Sequence, residues 1–352
     1  MAPQKPTRPV PRGGSAGFFR GRYKSEPEDF VVEEVPAYLP CGSGDHVWLW
    51  VEKRGLTTMD LLGELGQRLD RDERSFGIAG LKDAQAISRQ WVSIEHVDPR
   101  ACEALQGDRF AVLQVSRHGN KLRMGHLRGN RFVVTLRGTQ PEDLEKARTN
   151  LAELVRLGVP NYFGEQRFGK RGANLQKGLD VLRGNARAFA AKMPRRVFGL
   201  VISAVQSEVF NRVVIARRQA LDTLLPGDLA FLHRNGAVFA VTDPDQEKER
   251  LLAVEVSPSG PMPGPEMMLP EGEPLALEQA AMAALEITTD AFAKLPFRLG
   301  RGERRPLRVP VADASVEGVP AGVRLTFALP SGAYATSVLR ELLEDTIWFG
   351  GD

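Results

Sequence analysis

Cysteine is nearly absent. Cys41 and Cys102 are the two in 352 residues. Neither has metal-ligand spacing, so a disulfide framework and a cysteine-based zinc site are both excluded, and reduced thiols in a cytosol are expected. The five histidines, at 46, 96, 118, 126 and 233, form no H-x-x-x-H and no cluster with the cysteines. No structural metal is therefore expected. No run of about 18 apolar residues occurs, which leaves no segment expected to span a membrane. The N-terminal stretch lacks the apolar core of a secretory signal. It is rich in Pro, Gly and basic residues, so residues 1–18 are expected to be a disordered tail. Between residues 158 and 308 there is no repeat, no G-x-G-x-x-G and no P-loop, so nothing there points to a nucleotide phosphate site.

What is present is ordinary in bulk and uneven in distribution. Hydrophobic residues make up 42% of the chain, a globular composition, and the length suits two domains or one domain with a large insertion. Net charge is only +3, yet residues 109–137 carry +7 with no Asp or Glu, and residues 161–196 also carry +7. The rest of the chain is correspondingly acidic. Such asymmetry fits a polyanion bound along a groove, and it also fits solvated basic faces.

Alternation and turn residues place the elements. Residues 46–53 (HVWLWVEK) and 110–116 read as strands, and 57–69 as a helix capped by Thr57 or Thr58. Helices are also expected over 141–158, 197–218 and 274–285. Asn235-Gly236 marks a hairpin within 228–241, and the Pro/Gly-rich 257–274 reads as a loop. Between a short strand near Phe76 and a strand from Ile87 stands the stretch Gly80-Leu81-Lys82-Asp83-Ala84-Gln85-Ala86. Gly80 permits a turn, and Asp83 on such a turn at a sheet edge can serve as nucleophile or base. A lone Asp in a turn serves equally well as a local backbone cap.

That stretch resembles the G-x-K-D-x-x-A motif of the TruD family of tRNA pseudouridine synthases, and further matches follow in the family's order. KSEPEDFVVEEVP (24–36) is similar to its K-x-x-P-E-D-F-x-V-x-E signature. Leu127-Arg128-Gly129-Asn130-Arg131-Phe132 is similar to L-x-G-N-x-F. GVPNYFGEQRFG (158–169) is similar to G-V-P-N-Y-F-G-x-Q-R-F-G. LPSGAYATSVLRE (329–341) is similar to L-P-x-G-[FY]-A-T-x-x-[LV]-R-E, with one residue added between the Gly and the aromatic.

The resemblance implies an α+β fold. A catalytic pseudouridine synthase domain with a mixed, largely antiparallel sheet (19–157 and 309–352) would carry an inserted α/β domain (158–308). It implies Asp83 as nucleophile and Lys24 as its partner, with Phe30, Asn130, Phe132 and Tyr334 around the nucleoside. Arg167 on its loop could clamp a phosphate. It also implies a cytoplasmic, monomeric tRNA pseudouridine synthase without cofactor or obligate protein partner, acting on uridine 13 of the D-arm. Read from pattern alone, Phe30 and Phe132 are equally strand core, Lys24 a solvated rim, and Tyr162 and Phe163 a buried hinge. The alternative from another class is a non-catalytic RNA-binding protein, which needs no Asp83 and expects Lys24 and Asp83 to lie far apart. A hydrolase or phosphotransferase would need a second carboxylate motif or a phosphate loop, and neither is present.

Overall fold

The computed structural model describes residues 14–184, 186–296 and 299–344. Of the expected tail, residues 1–13 lie outside the described residues. The next few are tied down: the Ala16 amide donates to Asn150 Oδ1 at 3.2 Å, and Asn150 Nδ2 donates to the Gly17 carbonyl at 2.8 Å. The chain forms two compact units. One contains Ser15–Ala152, Val311–Ala333 and residues 342–344; the other contains Glu153–Pro310 and Tyr334–Glu341.

The first unit is built on an eight-stranded sheet among the described residues. Its strands are β1 (Phe30–Pro36), β2 (His46–Arg54), β3 (Phe76–Ile78), β4 (Ile87–Glu95), β5 (Phe110–His118), β6 (Leu127–Arg137), β7 (Ala312–Val319) and β8 (Gly322–Pro330). The order is β7-β8-β6-β1-β4-β2-β5, with β3 on β4. Only β1 and β4 pair in parallel; the other pairs are antiparallel. Period-two alternation decides the faces. In β2, Val47, Leu49 and Val51 are fully buried and meet the apolar stripe Leu61, Leu62 and Leu65 of helix α1 (Thr58–Leu69). Thr57 caps that helix by accepting from the Asp60 amide at 3.1 Å. Each such buried leucine contributes about 1.5–3 kcal/mol. The opposite face buries Trp48 and Trp91 with Ala79 and Leu122.

The second unit centres on the helix Arg195–Ala216. Its length and composition match a membrane span, but 72% of its most apolar stretch is buried inside the protein, as in a core helix. Helix Ala173–Arg183 crosses it closely because Gly178 has no side chain: a Cβ there would lie 2.2 Å from the Val201 carbonyl oxygen. Beside it, strands Glu303–Pro306, Val256–Met262, Leu229–Leu232 and Val238–Ala240 form a four-stranded sheet in that order. The last two are the hairpin expected at Asn235-Gly236.

The strand Val256–Met262 corrects the expected loop over 257–274. Proline lacks the donor a central strand needs, so VSPSGPM reads as a breaker. Here the strand pairs with 229–232 over its first half and with 303–306 over its second. Pro258 then only accepts, from the Leu307 amide at 2.9 Å. Gly260 packs against side chains, with Leu307 Cδ2 2.5 Å and Phe210 3.2 Å from a notional Cβ, so a side chain there would make them shift.

Gly178→Ala is expected to lower stability by at least the usual 1–3 kcal/mol of overpacking, since a backbone carbonyl cannot step aside. Urea denaturation followed by circular dichroism measures it.

Candidate active site

The loop Gly80–Ala86 is held from below at three points. Lys53 lies at the end of the inward set of β2, and its side chain is completely buried. Its ammonium donates to the carbonyls of Leu56 at 2.5 Å, Asp83 at 2.9 Å and Lys82 at 3.5 Å. The Lys82 amide donates to Thr58 Oγ1 at 2.8 Å, and that hydroxyl donates to Gln90 Oε1 at 3.0 Å. The Lys82 ammonium pairs with Glu34 at 3.0 Å, both side chains being at most 5% exposed. Burial pushes the Glu34 carboxyl up from its ordinary value, against the pull of Lys82. Burial likewise pulls the Lys53 ammonium down to about 8.

Above this base the Asp83 carboxylate projects outward, 62% exposed, with the Lys24 ammonium 3.7 Å from its Oδ2. The same ammonium stands 4.4 Å from the centre of the Phe30 ring. Lys24 has φ +61°, a left-handed conformation that costs a non-glycine residue of order 1–3 kcal/mol. An exposed ion pair returns about 0–1 kcal/mol. The arrangement is thus not explained by the stability of the pair, and it must be imposed by its surroundings. Arg137 imposes it. Its backbone exchanges hydrogen bonds with Arg22 at 2.8 and 2.9 Å. Its guanidinium holds Asp29 through Nε at 2.8 Å and Glu26 through Nη2 at 2.9 Å, so Lys24 is bracketed on both sides.

Phe30 and Phe132 share the inward face of adjacent strands, their ring centres 6.1 Å apart, with Phe327 5.5 Å beyond Phe132. Both are buried. Asn130 lies opposite Glu34 on the same face, and its Oδ1 is buried without a hydrogen-bond partner among the described residues. The fully buried Ser88 Oγ and Gln90 Nε2 also have none among them.

Arg167 and Tyr334 belong to the second unit. Arg167 donates to Ser207 Oγ at 3.2 Å and stands 5.4 Å over the Phe163 ring. Tyr162 and Phe163 of the 158–169 loop are core residues, and Arg305 lies 4.2 Å over Phe163. Tyr334 is 40% exposed. Burial pulls Arg305 down to about 10, opposed by Tyr334 and Glu303. Among the described residues no group of three or more His, Cys, Asp or Glu is placed to hold a metal.

The overall fold matches that of a solved structure. A Methanosarcina mazei protein described as tRNA pseudouridine synthase D superposes with a TM-score of 0.76 over 97% of this chain and 95% of its own, at 23% identity. Sequence likeness is closer elsewhere. The tRNA pseudouridine synthase D of Geobacter metallireducens is 40% identical, covering 92% of this chain and 95% of its own. That of Thermus thermophilus is 42% identical over 92% and 89% respectively. The family model for tRNA pseudouridine synthase D (TruD) matches residues 15–193 and 186–342. The chain belongs to the TruD family, a family of isomerases.

Lys53, Glu34 and Gln90 were not singled out in the sequence, and Thr58 only as a candidate helix cap. The signal for two of them lay in the alternation itself. The inward series Val47, Leu49, Val51 ends on Lys53, and Phe30, Val32 ends on Glu34. A charge in an inward register is a buried charge, and a buried charge needs a partner.

Lys82→Met strands the Glu34 carboxylate and is expected to cost about 3–5 kcal/mol, whereas Lys82→Met with Glu34→Leu should recover most of that loss. Guanidinium melts of the single and double variants compare them.

Proposed function

We propose that this chain isomerises a uridine of tRNA, uridine 13 of the D-arm, to pseudouridine, with Asp83 as the nucleophile. The observation that carries the reading is the exposed Asp83 carboxylate, held on a clamped loop beside a conformationally constrained Lys24. The names of the relatives supply the substrate class.

In the reaction the N1–C1′ bond breaks, the uracil turns, C5 bonds to C1′ and loses its proton, and N1 gains a proton. Substrate and product have the same composition, so no oxidant, reductant or group donor is consumed. The uridine must first leave its stack, at a cost of a few kcal/mol. Lys24 holds its ammonium 3.7 Å from the Asp83 carboxylate. Asp83 then starts glycosidic cleavage, by attack at C1′ or C6 or by taking a ribose proton. Asn130 Oδ1, a buried acceptor with no partner among the described residues, suits a uracil N–H. Phe30 and Phe132 line the base, and a ring face contributes about 1–3 kcal/mol per stacked base. Arg167 anchors the RNA backbone. The exposed bases Lys170, Arg171, Lys177, Arg187, Lys192 and Arg196 contribute nonspecific attraction to phosphates. The chain works as a monomer in the cytoplasm, without cofactor, metal or obligate protein partner.

Unmodified tRNA transcripts incubated with the protein and mapped by chemical derivatisation test the reaction. One pseudouridine in the D-arm is expected, absent with Asp83→Asn while the tRNA Kd stays within about twofold. Product formed by Asp83→Asn overturns the nucleophile. Tight tRNA binding without product favours the non-catalytic RNA-binding reading. Replacing Lys170, Arg187 and Arg196 with Gln is expected to weaken binding to all tRNAs alike. For each phosphate that the protein ceases to neutralise, the dependence of log Kd on log salt should become shallower by about 0.7–0.9. Filter binding across a salt series reads this.

A further inference from the structure

Lys53 is buried where burial is expensive, yet neither of the structure's cheaper uses for a lysine applies to it. It forms no ion pair among the described residues, and it does not reach solvent. All three of its donors go to backbone carbonyls, and two of these belong to consecutive residues of the loop, Lys82 and Asp83. The third, Leu56, lies just before helix α1, so one ammonium ties the strand β2, the start of the helix and the acidic loop together. The peptide carrying Asp83 is thereby fixed from beneath while its carboxylate projects the other way at 62% exposure.

We propose that Lys53 is a positioning residue, whose ammonium sets the place of the Asp83 carboxylate by holding the backbone carbonyls of Lys82 and Asp83. The inference rests on Asp83 as the nucleophile. A neutral amine has two hydrogens for three carbonyls, and its lone pair faces an oxygen. The clamp therefore exists only while Lys53 is charged. The groups facing it are the carboxylates of Asp83 and Asp60, the Lys82 ammonium, and, from the neighbouring strands, Ser88 and Phe110. Burial lowers its proton affinity most, Lys82 lowers it further, and the two carboxylates oppose both. The balance leaves it near 8, so the charged form predominates below that pH and is lost as pH rises through it.

The test compares wild type and Lys53→Met with a D-arm tRNA transcript, measuring kcat at saturating tRNA from pH 6 to 9.5, and hydrogen–deuterium exchange of the peptide spanning 80–86 at pH 7. Expected are a wild-type kcat that falls as pH rises through about 8, and a Lys53→Met kcat about 100-fold lower at pH 7, the scale of a small misplacement. The tRNA Kd should stay within twofold, no alkaline fall should remain in the variant, and loop exchange should be at least tenfold faster. A wild-type kcat flat to pH 9.5, or a Lys53→Met kcat within threefold of wild type, overturns the proposal. Should Lys53→Met fail to fold, the wild-type profile decides alone. A wild type that makes no pseudouridine refutes the nucleophile reading instead, and the exchange measurement still decides on Lys53: unchanged exchange overturns the clamp.

Discussion

The antiparallel pairing of β6 with β8 is the constraint on which the first unit depends. Nine registered pairs run from Gly322 opposite Arg137 to Pro330 opposite Gly129. They join segments separated by the whole of the second unit's main stretch, and closing so long a loop costs roughly 5 kcal/mol. Ladder hydrogen bonds and apolar burial offset that cost. Phe327 packs on Phe132, which packs on Phe30, so three strands far apart in sequence share one aromatic row. Each such ring contributes about 1.5–3 kcal/mol on burial. The fit is close: a side chain at Gly129 would lie 2.1 Å from the Leu329 carbonyl oxygen. Because strand register leaves no freedom, Asn130 is carried to the position opposite Glu34, beside the loop bearing Asp83.

Against this apolar row the same sheet face places an unusual quantity of charge. Lys53, Glu34 and Lys82 are all buried. An apolar set would stabilise the fold at least as well, since desolvating ions costs several kcal/mol each before their attraction is counted. A lysine in the left-handed region, and polar atoms at Asn130, Ser88 and Gln90 without a partner among the described residues, point the same way. Departures from the most stable arrangement concentrate around one acidic loop, and such concentration marks a functional site.

Much of this was legible in advance, for identifiable reasons. Helix α1 appeared where Thr57 and the Leu61, Leu62, Leu65 stripe put it, because capping and period are local properties. The hairpin at Asn235-Gly236 followed from a turn that tolerates positive φ at Gly236. The strand Val256–Met262 did not follow, because whether a proline's missing donor matters depends on which neighbour pairs at that position. The basic windows were only partly what they looked like. In the first, Arg109 is paired with Glu64, Lys121 with Glu95, and Arg137 with Glu26 and Asp29, so several of its charges are structural.

The sequence by itself determined the locally patterned helices and the Asn235-Gly236 hairpin, the family, and which carboxylate stands on a glycine-led turn, since each is written in residue types at short spacing. Tertiary structure decided what holds that carboxylate. Lys24, Lys53 and Arg137 reach its surroundings from strands and loops that only the sheet's register brings together. A charge can be recognised along a chain, but its partner, its burial and hence its proton affinity depend on distances that exist only after folding.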